Sequence, residues 1–277
     1  MKIMDHKTAL IGYTGFVGHN IFLQQNDVIH LYNTSNIHEI YGKEYELIII
    51  AAPGGSRIVA NKFPGEDRIG IAALVTHLNL VKGIKKVVLI STVEVYSCKN
   101  GIDEDVKIEE SQLDDYGRNR RALEKMVITE FENSSIIRLP ILFGEKLKKN
   151  FIYDLIYNER TEYINPDNEL PIYNLDCLWP DILTCINCNL SILNLVSEPV
   201  SVGKLAKEIF DIELPKNESL PLRKYDIRSK HAHIWGRKHY MESSKEMIHD
   251  LKKFWVKMIH GGGIGEIHHR HQLRLDK

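Results

Sequence analysis

Three glycines spaced three apart, Gly12, Gly15 and Gly18 in "TALIGYTGFVGHNIF", constrain this chain more than any other feature. They follow a short apolar run at 7–12 and precede a segment that starts a helix at Gly15 and runs to about Gln25. Glycines also mark ordinary turns, so the context decides what the triplet means. Between a strand and a helix the first glycine permits a tight turn and the second lets backbone approach a pyrophosphate. The third lets helix and strand pack closely, and the helix N-terminus offers amide donors and a favourable dipole. Thr14, Phe16 and Val17 fill the same loop and join the candidate phosphate contacts.

The rest of the first half supplies that context. Residues 27–33 read as a second strand, and 45–53, "YELIIIAAP", are a continuous apolar run of the kind buried on both faces. A helix is expected over 66–83, ending at a glycine, then a strand at 85–92, a helix at 114–131 and a strand at 134–140 stopped by proline. Regular alternation of this kind predicts an α/β fold, a Rossmann-type doubly wound parallel sheet.

Beyond Pro140 the rhythm changes. Helical spacing at 147–159 is followed by an extended stretch at 170–176, a modest helix at 181–188 and a strand-like run at 190–197. A helix opened by Ser201 and an amphipathic helix at 244–259 complete the pattern. The expected division is a nucleotide-binding domain at 1–145 and a smaller C-terminal α/β substrate lobe at 146–260. Residues 261–277, rich in glycine and histidine without apolar periodicity, read as a disordered tail rather than a metal site.

Composition narrows the partners. A formal net charge of -1 gives no global attraction to nucleic acid or to an anionic membrane. No apolar run approaches about 20 residues, so no membrane span is expected. The opening ten residues hold no apolar core of signal-peptide length, and a soluble, cytoplasmic protein is the expectation. Four cysteines in a chain of 277 residues form no disulfide framework, and the Cys185–Cys188 pair lacks the second ligand pair that a zinc site needs.

With "GYTGFVG" this close to the N-terminus, the sequence resembles the extended short-chain dehydrogenase/reductase superfamily, which includes nucleotide-sugar epimerases, dehydratases and reductases. The resemblance implies a bound nicotinamide dinucleotide and extends over about residues 7–255. At the end of the second strand, where NAD binders carry an acidic residue for the ribose 2′-hydroxyl, this chain has Asn33, Thr34 and Ser35. Without a carboxylate to repel a 2′-phosphate, NADP is favoured modestly and NAD stays possible. Ala51, Ala52 and Pro53 fall where the family's backbone passes the cofactor, and Pro140 falls where it lines the nicotinamide.

The resemblance also assigns chemistry. Thr92, at the end of "VVLIST", takes the place of the family's hydroxyl that polarises the substrate oxygen. Tyr116 takes the place of its catalytic tyrosine. Tyrosine ionises near ~10, so acid–base work at neutral pH needs a neighbouring cation that favours the phenolate. The family supplies a lysine four residues on, whereas this chain has Arg120. Arginine keeps the charge and can donate to a ribose, but it cannot release a proton, so a relay through a neutral amine is closed.

Dehydratases of the family read Thr-Asp-Glu at this strand end; here the triplet is Thr92-Val93-Glu94. Valine can neither donate nor accept a proton, which disfavours water elimination. Glu94, Lys149 and Asn150 remain as candidate substrate contacts. Arg138 fits either a nicotinamide-lining stretch or a structural ion pair, and 223–236 has no mechanism readable from residue types. The implied activity is reduction of a nucleotide-activated 4-keto-deoxysugar, with a 4-epimerase or a non-catalytic NAD(P)-binding module as alternatives. A homodimer formed through the helices at 66–83 and 114–131 is the implied assembly.

Overall fold

The computed structural model describes residues 7–25, 29–55 and 57–260. The expected tail at 261–277 lies outside the described residues. A six-stranded parallel sheet forms the centre: β1 (Thr8–Ile11), β2 (His30–Tyr32), β3 (Leu47–Ile50), β4 (Val87–Thr92), β5 (Ser134–Leu139) and β6 (Ile192–Asn194), in the spatial order β2-β1-β3-β4-β5-β6. Register runs through Ala9 opposite both His30 and Ile48, Ile48 opposite Val87, Leu89 opposite Ile136, and Ile136 opposite Ile192. The strand order reverses beside β1, which opens a crevice at the carboxyl ends of the strands.

The continuous isoleucines of β3 follow from burial on both faces, because successive side chains of a strand point to opposite sides. Ile48 and Ile50 pack with Ala9, Leu89 and Ile136 under α3 (Pro64–Asn79) and α4 (Asp115–Glu130). Ile49 packs the other way, with Leu10, Val88 and Ile137, under α1 (Phe16–Leu23) and α6 (Leu178–Asn187). A short helix, α2 (Arg57–Lys62), precedes α3. Helix α3 ends at Asn79, short of the expected Gly83, because Gly83 and Ile84 pair in parallel with Glu44 and Tyr45.

A separate core, with Phe143, Leu155, Leu205 and Leu251 among its members, gathers α5 (Phe151–Tyr157), α7 (Val202–Phe210) and α8 (Ser244–His260). Chain order does not follow this spatial division. Both α6 and β6 lie beyond residue 145 yet belong to the sheet layer, since Ile182, Cys185 and Leu193 complete its second face. Residues 100–102, from the first half, pair with 226–227 of the second. All four cysteines are free thiols, Cys185 buried and Cys188 exposed. No helix among the described residues is long and apolar enough to cross a membrane.

A buried polar network ties these layers together. Arg138 on β5 is 1% exposed and forms a two-pronged pair with Glu124 on α4, at 2.9 and 2.7 Å. Arg138 is therefore a structural ion-pair residue. It also donates to the Tyr96 hydroxyl at 2.7 Å, which in turn donates to Asn194 on β6 at 2.9 Å. Ser91 on β4 donates to Glu124 at 2.6 Å. Burial opposes charge on Arg138, but the bonds to Glu124 outweigh it and raise its pKa; burial pushes Tyr96 up to about 12. Glu104 accepts from the Asn194 amide, Ser229 and the Lys230 amide, which carries the network into the second half.

Removing Arg138 takes two of the bonds from the buried Glu124 carboxylate and leaves it Arg121, at 2.8 Å, as its cation partner. Arg138→Met is expected to lower unfolding stability by about 3 kcal/mol in urea titrations, and adding Glu124→Leu should restore part of the loss. A single-variant loss below about 1 kcal/mol would mean that Glu124 does not depend on Arg138.

Candidate active site

Two cavities open at the carboxyl ends of the strands. The first, about 580 Å³, is lined by Gly12, Thr14, Gly15, Asn33, Thr34, Ala51, Ala52 and Pro53 together with Ile37 and the α3 face of Gly70, Ala73, Leu74 and His77. Its floor is built on close backbone approach. Gly12 has φ +88°, and a Cβ there would sit 2.5 Å from the Ala51 carbonyl oxygen. A Cβ on Gly18 would collide with the Gly12 carbonyl, so the helix packs on the turn only with glycine at this position. Gly15 is the N-cap of α1, makes no side-chain cap bond, and no acidic residue occupies the first turn. Uncapped amides with no competing carboxylate suit a phosphate group.

Among the other expected cofactor contacts, Phe16 and Val17 are half-buried with side chains packed against the core, and Ser35, exposed, donates through its amide and hydroxyl to the Asn33 side chain. Asn33 also donates to the Tyr13 hydroxyl at 3.4 Å. The α3 contribution to this cavity was not legible in the sequence, because an amphipathic helix shows its apolar spacing but not which end reaches the crevice.

The second cavity, about 540 Å³, brings together Thr92, Glu94, Tyr116, Pro140, Lys149 and Asn150 from β4, α4, the end of β5 and the start of α5. The Thr92 hydroxyl oxygen accepts from the Glu94 amide at 3.2 Å, which leaves its hydrogen as a donor. Glu94 pairs with Arg57 at 2.9 Å and Lys99 at 3.4 Å. Asn150, expected at the substrate, caps α5 by accepting from the Ile152 and Tyr153 amides and donates to the Leu142 carbonyl. Burial lowers the pKa of Lys149. The same cavity is also lined by Tyr163, Asn168, Arg223 and Tyr225. The 223–236 stretch, opaque in the sequence, thus supplies an arginine and a tyrosine to the cleft wall.

Helix α2 sets where α4 begins. Asp114 caps α4 by accepting from the Gly117 amide at 2.8 Å, and it also binds Arg57 at 2.7 Å and Asn61 at 3.1 Å. The Asn61 side chain accepts from the Tyr116 amide at 2.7 Å. A Cβ on Gly117 would lie 2.5 Å from the Glu94 carbonyl oxygen, so glycine after the tyrosine lets α4 press against the end of β4. The glycine in "DDYGRNRR" was the available sequence signal for that approach. Arg57 and Asn61, more than 50 residues upstream of Asp114 and Tyr116, left none.

Arg120 lies where the sequence spacing places it, one turn beyond Tyr116, with its guanidinium carbon 4.8 Å from the tyrosine ring centroid. It is 6% exposed and lines neither cavity. Nη2 donates to Asp67 on α3 at 2.8 Å, a pairing that leaves no signal in residue spacing.

No protein-family model matches the sequence, and no curated protein matches it. Solved structures do resemble the fold. A dTDP-4-dehydrorhamnose reductase from Bacillus anthracis, in complex with NADP, is 20% identical with a TM-score of 0.73, over 93% of this chain and 100% of that one. RMD from Pseudomonas aeruginosa, complexed with NADPH, is 16% identical with a TM-score of 0.70, over 90% and 99%. UDP-N-acetylglucosamine 4-epimerase from Methanobrevibacter ruminantium, in complex with UDP-N-acetylmuramic acid, is 13% identical with a TM-score of 0.71, over 93% and 99%. At such identities the likeness is one of fold.

The Asp114 cluster has a measurable signature. Burial alone would raise the Asp114 pKa, but the Gly117 amide, Asn61 and Arg57 outweigh it and hold it below its ordinary 3.8. Its contribution is therefore full above that ordinary value and lost as pH falls below it through the lower native one. Asp114→Ala is expected to cost about 1 kcal/mol at pH 7 as a lost cap, with the difference shrinking below pH 3.8 in urea midpoints measured against pH.

Proposed function

We propose that this protein is an NAD(P)-dependent oxidoreductase that reduces the 4-keto group of a nucleotide-activated deoxysugar. The observation that carries the reading is the meeting of Thr92 and Tyr116 in the second cavity, with the first floored by Gly12, Gly15 and the uncapped start of α1. That floor fits a dinucleotide pyrophosphate, because Gly12 and Gly15 line the cavity at the start of α1, where no side-chain cap and no acidic residue compete for the helix amides. Asn33 and Thr34 at the rim carry no charge to repel a 2′-phosphate, which supports NADP with NAD as the second choice. Structures of the same fold contain NADP and NADPH.

The bound nicotinamide would supply the hydride. Thr92 donates its free hydroxyl hydrogen to the carbonyl oxygen of the sugar and so orients it. Tyr116 gives its phenolic proton to the same oxygen as it becomes an alkoxide. Arg120 stacks on the tyrosine ring and keeps a cation beside it without exchanging protons. Glu94 is held in ion pairs and Val93 is buried, so the strand end offers no pair of free acids for elimination. Lys149 and Arg223 are the cleft's candidates for a sugar-nucleotide diphosphate, and Tyr225 gives it an aromatic wall. A cytoplasmic homodimer through α3 and α4 goes with this reading, supported by exposed Ile69, Met126 and Ile128 on those helices.

Fluorescence titration with NADPH and NADH, followed by turnover on nucleotide 4-keto-sugars, tests the proposal. Tyr116→Phe is expected to cut turnover by about 100-fold or more while leaving cofactor binding intact. Interconversion of sugars with no net NADPH consumption would identify an epimerase instead. Binding without any turnover would identify a cofactor-binding module, and no binding would remove the proposal altogether.

A further inference from the structure

Two hydroxyls from different elements must meet one carbonyl oxygen in the proposed reaction: Thr92 ends β4, and Tyr116 stands in the first turn of α4. Their separation depends on what joins those two ends, and one side chain does so. Arg57, on α2, directs Nη1 to the Glu94 carboxylate at 2.9 Å, and both Nη2 and Nε to Asp114 Oδ2 at 2.7 Å. Glu94 lies two residues after Thr92, and Asp114 two residues before Tyr116.

Each end of this bridge is tied onward to a residue that carries a hydroxyl. The Glu94 amide donates to Thr92 Oγ1 at 3.2 Å. Asp114 accepts from the Gly117 amide at 2.8 Å, and Asn61, also on α2, donates to Asp114 and accepts from the Tyr116 amide. A guanidinium sends its donors in fixed directions within one plane. It therefore sets the distance between two carboxylates as well as neutralising them, whereas an ammonium does only the second. Lys99 also pairs with Glu94, at 3.4 Å, but its hydrogen bond goes to the Tyr96 carbonyl, in the turn that follows β4.

We infer that Arg57 is a positioning residue: by bridging Glu94 and Asp114 it sets the spacing of the Thr92 and Tyr116 hydroxyls for one substrate oxygen. The inference rests on the oxidoreductase reading above. Arg57 also lines the second cavity, so direct contact with the sugar nucleotide is one rival role, and plain docking of α2 on α4 is another.

A double-mutant cycle separates the three, because spacing matters only while both hydroxyls are present. Arg57→Lys is made in the full chain and in the Thr92→Val variant, and single-turnover NADPH oxidation is followed with nucleotide 4-keto-sugars. The expected result is a rate loss of about tenfold with Thr92 present and less than about twofold with valine there. The half-saturating sugar concentration and the NADPH dissociation constant should each move by less than about twofold. Equal rate losses in both backgrounds, or a loss carried by the half-saturating concentration, overturn the positioning role and leave the oxidoreductase reading standing. Full activity of Arg57→Lys does the same, since charge alone would then suffice. Failure of the unaltered protein to turn over any nucleotide 4-keto-sugar overturns both. Should Arg57→Lys not fold, Asp114→Asn breaks the bridge from the α4 side and keeps an acceptor for the N-cap. It is expected to slow single turnover about fivefold with Thr92 and less than about twofold with valine, and equal losses overturn the proposal.

Discussion

The fold depends on the buried pair between Glu124 and Arg138. Neither side chain reaches solvent, and the carboxylate satisfies Arg138 through two bonds while accepting from Ser91 as well. This joins β4, β5 and α4 at one point. The extension through Tyr96 and Asn194 brings in β6, and Glu104 takes the connection to Ser229 and Lys230. A network like this tolerates no slippage, because a shift in register would leave buried charges unpaired. Helix α4 carries both Tyr116 and Glu124, so the constraint that orders the core also orders the candidate site.

Precision at the start of α4 comes from a second set of contacts. Asp114 and Asn61 hold the first turn, and Gly117 lets it sit against the end of β4. The helix is thus held near its N-terminus by α2 and in its middle by Arg138, with Tyr116 at the cleft end. The same architecture explains why Glu94 makes a poor free acid. Arg57, which organises Asp114, also pairs with Glu94, so one cation serves the helix cap and the end of β4 together.

Much of this was legible in the chain. The spacing of Gly12, Gly15 and Gly18 announces a strand–turn–helix unit, and the unbroken isoleucines of β3 announce burial on both faces. Tyr116 and Arg120 follow each other by one helical turn, so their proximity needs no tertiary information. Asn150 illustrates the opposite case. Its position at the cleft could be read, but whether its amide faces a ligand or caps α5 depends on backbone geometry that residue type does not reveal. Asp67 is likewise just one of two acids in the first turn of α3 until α4 packs beside it.

By itself the sequence determined the alternating α/β pattern, the glycine turn and the order Thr92, Tyr116, Arg120. These are local properties, governed by side-chain period, backbone freedom at glycine and the 3.6-residue helical turn. Only the tertiary structure decided that α6 and β6 return to the first half's sheet, that Arg138 is spent on Glu124, and that Arg120 is held by Asp67 rather than lining a cavity. Those outcomes turn on which distant surfaces meet. Burial there makes an unpaired charge or donor costly, so partners well separated along the chain are selected together although nothing between them records the pairing.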